Sequence, residues 1–204
     1  MLIDHLVYAA PDLAVGVAGL EERLGVRSRA GGRHLGLGTH NALLGLGPRT
    51  YLEILAPDPG QPAPSEPLPF GADGVTEARL VGWAIGCDDI DGAVARARDR
   101  GYDPGDVLDM HRVLASGAML RWRLTSNALT GGPVPFLIDW GDTEHPAGAA
   151  AVGLALESFH LEHPDPSALL PRLAALGVDV EVRQAATPAL VARIAGPNGS
   201  QGLR

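Results

Sequence analysis

One pattern of apolar residues occurs three times along the chain, and it limits the possible folds more than any other feature. Each copy begins with a strand-like run, at residues 2–9, 80–87 and 154–161. A helix-like segment follows, opened by an acidic residue and closed by a glycine, as the unpaired backbone groups at helix ends require. Three short strand-like runs complete each copy. The sequence therefore predicts an α+β fold made of repeated βαβββ units.

The repeats divide the chain into three predicted units. The first unit spans residues 1–56, the second 79–142 and the third, which is βαβββ-like, 153–204. Residues 57–78 between the first two units are rich in proline and have little apolar patterning. We expect this segment to be a semi-extended surface linker that takes no part in a core.

Composition and charge narrow the functional classes. The 204-residue chain carries a formal net charge of −8, which argues against nucleic acid and anionic membrane as partners. Its single cysteine, Cys87, excludes an internal disulfide framework and is compatible with a reducing cytosol. No apolar run approaches the ~20 residues of a membrane span, and the N-terminus has no signal-peptide pattern. The sequence thus predicts a cytoplasmic protein.

A histidine and a glutamate stand out inside apolar strands. Glu53 lies between Leu52 and Ile54 in the second strand of a predicted hairpin, and His5 lies in the first strand-like run. Neighbouring side chains of a strand point to opposite faces, so Glu53 faces away from its apolar neighbours. Because an unpaired buried carboxylate is costly, Glu53 faces either solvent or a cavity that uses it.

A repeated βαβββ unit with a histidine on its first strand and a glutamate on its last resembles the vicinal oxygen chelate superfamily. The segments HLVYAAPDL, GGRHLGLGTHNALLGLG and YLEILAPDP resemble its glyoxalase-like branch. The resemblance covers residues 1–142, while the third unit matches only the strand–helix pattern and a Gly-Pro-Asn-Gly turn. It implies that two units pack into a curled mixed sheet, a cup with the helices outside.

The resemblance also implies a divalent metal in the cup, with Fe, Mn, Zn and Ni as candidates. Carried over by position, the metal ligands are His5 and Glu53 from the first unit and Asp139 from the second. The fourth ligand place falls on Trp83 or Val81, and neither side chain binds a metal. An imidazole and two carboxylates would still leave open positions for substrate oxygens, and the metal would act as a Lewis acid.

Further polar residues are predicted to contact the substrate. Glu53 and His34 are the candidate catalytic residues, since an imidazole or a carboxylate can act as acid or base near neutral pH. Arg121 and Arg123 share a face and would grip a substrate carboxylate, although exposed strand arginines more often only solvate a sheet. The predicted substrate-binding residues are His40, His111, Arg121 and Arg123.

Two functions remain open at this point. The first is a metal-dependent lyase, isomerase or dioxygenase of glyoxalase type that acts on a small oxygenated molecule. The second is a metal-free protein that binds or sequesters a small, aromatic or acidic, ligand. Asp139 and the clustered histidines favour the first function, and the broken ligand set at Trp83 favours the second.

The third unit needs a partner, because a lone unit would leave a sheet edge and an apolar face exposed. It either closes against the first two units or pairs with its own copy across the two-fold axis of a homodimer. We expect a homodimer.

Overall fold

A computed structural model describes residues 2–113, 117–148, 150 and 153–204. The first unit contains β1 (Ile3–Ala9), α1 (Leu13–Leu24), β2 (Arg29–His34), β3 (Thr39–Gly47) and β4 (Thr50–Pro57). The second contains β5 (Arg79–Gly86), α2 (Ile90–Asp99), β6 (Val107–Val113), β7 (Met119–Thr125) and β8 (Phe136–Asp139). The third contains β9 (Ala155–His163), α3 (Pro166–Ala175), β10 (Val182–Gln184), β11 (Ala189–Gly196) and β12 (Gly199–Leu203). Short 3-10 helices lie at Pro69–Gly74, Ser126–Leu129 and Pro146–Gly148.

The three α-helices begin in the same way. The side chain of an aspartate accepts a hydrogen bond from the backbone N–H three residues further on, which satisfies one unpaired donor of the first turn. The capping residues are Asp12, Asp89 and Asp165. None of the described helices is both long and apolar enough to cross a membrane.

The first two units form one closed barrel, with the strand order β1-β4-β3-β2-β6-β7-β8-β5. Strand β1 pairs in parallel with β4 and antiparallel with β5, and this pairing joins the two units. On the opposite side Arg33 of β2 pairs with Val113 of β6. The predicted α+β fold, a curled mixed sheet with helices outside, is confirmed.

Strand alternation divides the apolar residues into two clusters. The first lies between the barrel wall, the helices and the third unit, and it includes Leu6, Leu44, Leu52 and Ile54. The second lies inside the barrel, and it includes Val7, Tyr51, Leu55, Trp122, Phe136 and Trp140. The interior of the barrel is therefore apolar except where a strand turns a polar side chain inward.

The third unit closes against the first two within the same chain. Its sheet has the order β10-β9-β11-β12. The ring of Phe159 packs on Trp83 of β5, with ring centroids 4.9 Å apart. The backbone N–H of Leu80 donates to the carbonyl of Arg204 over 3.0 Å. The arrangement in which the third unit closes against the first two is thus present in a single chain. The homodimer stays a prediction.

A glycine lies where the third unit comes closest to α1. A Cβ atom on Gly196 would lie 2.5 Å from the carbonyl oxygen of Leu24 and 2.8 Å from Cδ2 of Leu154. We expect Gly196→Ala to lower the free energy of unfolding by about 1–3 kcal/mol, because the backbone must move to relieve the overlap. The matched control is Gly202→Ala on β12, where a Cβ meets no atom within 4 Å. Equal denaturant midpoints for the two variants would contradict this prediction.

The proline-rich segment contributes to the core. Leu68, Ala72 and Val75 are buried, and the ring of Phe70 packs against Phe136 with centroids 5.8 Å apart. The expectation that residues 57–78 stay outside the core is therefore wrong for residues 68–75. Their few apolar side chains gave no periodic signal, but they cover one end of the barrel.

Candidate functional site

A cavity lies inside the barrel, and polar and apolar side chains line different parts of it. The cavity has a volume of about 60 Å³. The polar part consists of His5, His34, Thr39, Asn41, Glu53 and Arg112. The apolar part includes Tyr51, Phe70, Met110, Trp122, Phe136 and Trp140.

Glu53 is the central polar residue of this cavity. It lies on β4 between Leu52 and Ile54, which face outward, so strand alternation points its carboxylate inward. Nε2 of His5 lies 3.7 Å from its Oε2, and Nε2 of His34 lies 3.8 Å from its Oε1. The structure therefore brings His5 and Glu53 together, as the sequence predicted, and adds His34 on the other side.

Asp4 orients the imidazole of His5 from the Nδ1 side of the ring, away from Glu53. Its Oδ1 lies 2.7 Å from Nδ1 of His5, and its Oδ2 accepts from Nε1 of Trp140 and Nε2 of His145 over 3.1 and 2.9 Å. Burial alone would raise the pKa of Asp4, but the hydrogen bonds from His145 and His5 hold it well below its ordinary value. Asp4 therefore holds the ring of His5 with its Nε2 toward Glu53.

His34 is a buried neutral imidazole. Its Nδ1 lies 2.9 Å from Oγ1 of Thr39, and its Nε2 lies 3.4 Å from Nδ2 of Asn41. Burial lowers the pKa of His34 most. The negative charge of Glu53 raises this pKa, and the positive charge of Arg112 lowers it. The net effect is a lowered pKa, so His34 is neutral at physiological pH.

The buried state of His34 leads to a pH prediction. Its pKa is lowered in the folded protein, so the unfolded chain takes up a proton below about pH 6.5 that the folded chain does not. Stability from this source is therefore complete above about pH 6.5 and declines as the pH falls. In urea unfolding between pH 7.5 and 5, we expect His34→Asn to show a shallower loss of stability than the wild type. An unchanged slope would contradict the assignment.

Arg112 is the one buried arginine among the described residues, and it is not among the site residues predicted from the sequence. It is 4% exposed, and its Nη1 donates to Oδ1 of Asn41 over 3.1 Å. A signal for it was present, because Leu108 and Met110 alternate with Asp109 and His111 on β6. Arg112 falls on the face of the two apolar residues, and that face is the one inside the barrel.

Comparison with known families now bears on the identity of the chain. Residues 3–177 match the family described as "Glyoxalase-like domain". The chain belongs to this family. The resemblance of the sequence to the glyoxalase-like branch of the vicinal oxygen chelate superfamily is confirmed.

Solved structures are similar to this glyoxalase-like protein, and one of them, with the higher TM-score, shares its fold. A hypothetical protein from Staphylococcus aureus is 14% identical, with a TM-score of 0.65 over 96% of this chain and 82% of its own. A methylmalonyl-CoA epimerase from Streptomyces coelicolor, in complex with 2-nitronate-propionyl-CoA, is 20% identical. That likeness covers 72% of this chain and 99% of the epimerase, with a TM-score of 0.48. No curated protein matched the sequence.

Asp139 does not face the cavity of the glyoxalase-like barrel. Its two carboxylate oxygens accept from the backbone N–H groups of Ile90, at the start of α2, and Gly141. The backbone N–H of Ala10 donates to Leu55 in the first unit, and that of Cys87 donates to Ile138 in the second, so the pairing Val7↔Glu53 corresponds to Ala84↔Phe136. Phe136, not Asp139, therefore occupies the place of Glu53, and a shift by an odd number of residues moves a side chain to the other face.

The same register corrects the fourth ligand place. His5 lies two residues before Val7, so Gly82, two residues before Ala84, occupies its place in the second unit. Trp83 points outward to the third unit. Neither ligand place of the second unit carries a side chain that can bind a metal.

The four residues predicted to contact substrate lie outside the cavity. His111 and Arg121 are exposed, and Arg123 pairs with Asp91 over 2.7 Å on the outer surface. His40 lies between two cavity-lining residues of β3 and so points to the opposite face. The prediction that His40, His111, Arg121 and Arg123 face the cup is wrong. The sequence shows which side chains of a strand share a face, but it does not show which of the two faces lies inside the barrel.

The residues present do not fit a metal centre. No group of three or more His, Cys, Asp or Glu side chains in the described parts of the chain is arranged to hold a metal ion. His5 and Glu53 meet, but Asp139 is on the other face, and Nε2 of His34 lies against the Asn41 amide. The ligand set His5, Glu53 and Asp139 is thus not assembled.

Proposed function

We propose that this glyoxalase-like protein binds a small oxygenated molecule inside its barrel and transfers a proton to or from it through Glu53 and His5. The observation that carries the proposal is the approach of His5 Nε2 to within 3.7 Å of Glu53 Oε2 in a buried cavity. This approach supports an isomerase or lyase reaction over the other chemistries of the superfamily.

The ring of His5 and the Glu53 carboxylate face each other at 3.7 Å, which is longer than a hydrogen bond. A hydroxyl group or an acidic C–H group of a ligand lies between them and donates to the carboxylate. In the reaction, the proton moves from carbon to Glu53 or His5, and the electron pair of the broken C–H bond delocalises into an adjacent carbonyl group.

Sequestration without turnover is the second candidate function. The rings of Trp122, Trp140 and Phe136 line the cavity, and aromatic walls of this kind bind apolar ligands without any need for chemistry. The same polar residues would then only orient the ligand. Metal-dependent lyase or dioxygenase chemistry lacks an assembled ligand set in the described residues.

Solvent deuterium incorporation tests the proposal. Lactate, mandelate, phenylpyruvate and hydroxyacetone are incubated with the protein in D₂O, with and without EDTA, and followed by NMR. We expect exchange above the uncatalysed rate at the carbon next to the carbonyl or carboxyl group of at least one compound, unaffected by EDTA. Exchange that appears only with added Fe, Mn, Zn or Ni would overturn the metal-free mechanism. Binding without exchange would favour sequestration.

A further inference from the structure

Arg112 carries a buried positive charge that the protein itself does not neutralise. Its side chain lines the cavity, and its Nε is buried without a hydrogen-bond partner. No carboxylate of the described residues lies within 4.0 Å of its guanidinium. Because buried charges are normally paired, an unpaired guanidinium facing a cavity indicates a place for an anion.

Two glycines of β2 make room for this arginine. A Cβ on Gly31 would overlap Oδ1 of Asn41 and lie 3.1 Å from Nη1 of Arg112. A Cβ on Gly32 would lie 3.0 Å from the carbonyl oxygen of Val113 and 3.4 Å from Cδ of Arg112. The strand therefore omits two side chains at the point where the guanidinium is held inside the barrel.

Asn41 separates the positive and negative charges of the cavity. Its Oδ1 accepts from Nη1 of Arg112 and from the backbone N–H of Gly32 over 3.1 and 2.9 Å, and its Nδ2 donates to Oε1 of Glu53. These bonds fix the orientation of the amide. Arg112 and Glu53 are thereby held one side chain apart, and each remains available to a ligand.

We infer that the cavity binds a small 2-hydroxycarboxylate. The ligand carboxylate pairs with Arg112, and the hydroxyl on the adjacent carbon donates into the space between His5 Nε2 and Glu53. The spacing of one amide between Arg112 and Glu53 suits groups on neighbouring carbons. An apolar substituent lies against Met110 and Trp122. The inference rests on the proposed function only for the position of the reacting carbon.

Calorimetry with matched acids and amides tests the inference. Mandelate and lactate are compared with mandelamide and lactamide, which keep the hydroxyl group and lose the charge. We expect the wild type to bind at least one acid about 10–100-fold more tightly than its amide, as charge-assisted hydrogen bonds of about 1.5–3 kcal/mol require. In Arg112→Gln, acid affinity is expected to fall by the same factor and amide affinity to stay within about threefold. Arg121→Gln, which removes an exposed arginine of the next strand, is the control.

The outcomes separate the inference from the proposed function. Equal affinities for acid and amide, an acid preference that survives in Arg112→Gln, or no binding of either acid would overturn the inference. The comparison in the wild type does not depend on the folding of any variant, and Arg112→Lys tests whether charge alone restores acid binding. An acid preference without deuterium exchange would leave the inference standing and contradict proton transfer. Deuterium exchange into hydroxyacetone without a preference for the acids would support proton transfer and overturn the inference.

Discussion

Glu53→Gln is expected to slow solvent deuterium exchange into the bound substrate by about 10²–10⁴-fold, the usual contribution of a general base. The substitution keeps the size of the side chain and an oxygen that can accept from Asn41, but it removes the group that takes the proton. The measurement is the exchange rate followed by NMR in D₂O at saturating substrate.

The matched control for this change is Glu77→Gln, which removes an exposed carboxylate between the two units of the barrel. It is expected to exchange at the wild-type rate. If Glu53→Gln keeps more than about a tenth of the wild-type rate, the proton is taken by another group, and the role assigned to Glu53 is wrong.

Asp4→Ala is expected to lower the free energy of unfolding at pH 7 by about 3–5 kcal/mol, because it breaks a buried charged network from its centre. The variant leaves His5 Nδ1, Trp140 Nε1 and His145 Nε2 without their common acceptor. Urea unfolding at pH 7 measures the loss. Asp142→Ala, which removes an exposed carboxylate close to Trp140 in the chain, is the control.

The effect of Asp4→Ala should also depend on pH. The pKa of Asp4 is lowered in the folded protein, so its stabilising contribution is complete above the unfolded value of about 3.9. The contribution declines as the pH falls below that value, because the unfolded chain takes up a proton that the folded chain does not, and it is lost once the pH passes the lowered pKa of folded Asp4. The gap between wild type and variant should therefore narrow in acid, and a gap that stays constant from pH 7 to 3 would show that Asp4 is not held ionised.

The sequence was sufficient to predict the approach of His5 and Glu53. Strand alternation gave the face of Glu53, and the resemblance implied that the first and last strands of a unit share the cup. The first inference needs only the residues next to Glu53, and the second needs only the order of strands within one unit. The parallel pairing of β1 with β4 then brings the two side chains to one interior.

Asp139 shows where that reasoning failed. Matching the apolar patterns of the two strands puts Asp139 at the place of Glu53, which Phe136 occupies in the structure. Because side chains alternate between the two faces of a strand, an error of an odd number of residues moves a side chain to the wrong face. Only the pairing of β5 with β8 fixes the register, and no local property of the sequence encodes it.

The remaining residues of the site depend on contacts between distant segments. Asp4 and His145 meet although 141 positions separate them, and Arg112 reaches Asn41 from the other unit. Phe70 enters from a proline-rich segment whose apolar residues follow no period. Such contacts arise only when the barrel closes, so propensity and spacing could not reveal them.

The glycines at positions 31 and 32 have a consequence for how proteins of this shape diversify. A side chain at position 31 would push into the Asn41 amide and the Arg112 guanidinium, and one at position 32 would press on the Val113 carbonyl and the methylene groups of Arg112, so the charged end of the site tolerates little change over evolutionary time. Met110 and Phe70 belong to the apolar part of the lining, where a change of side chain alters the room for a substituent. New specificities can therefore arise for the apolar substituent of the ligand, while its carboxylate is bound in the same way.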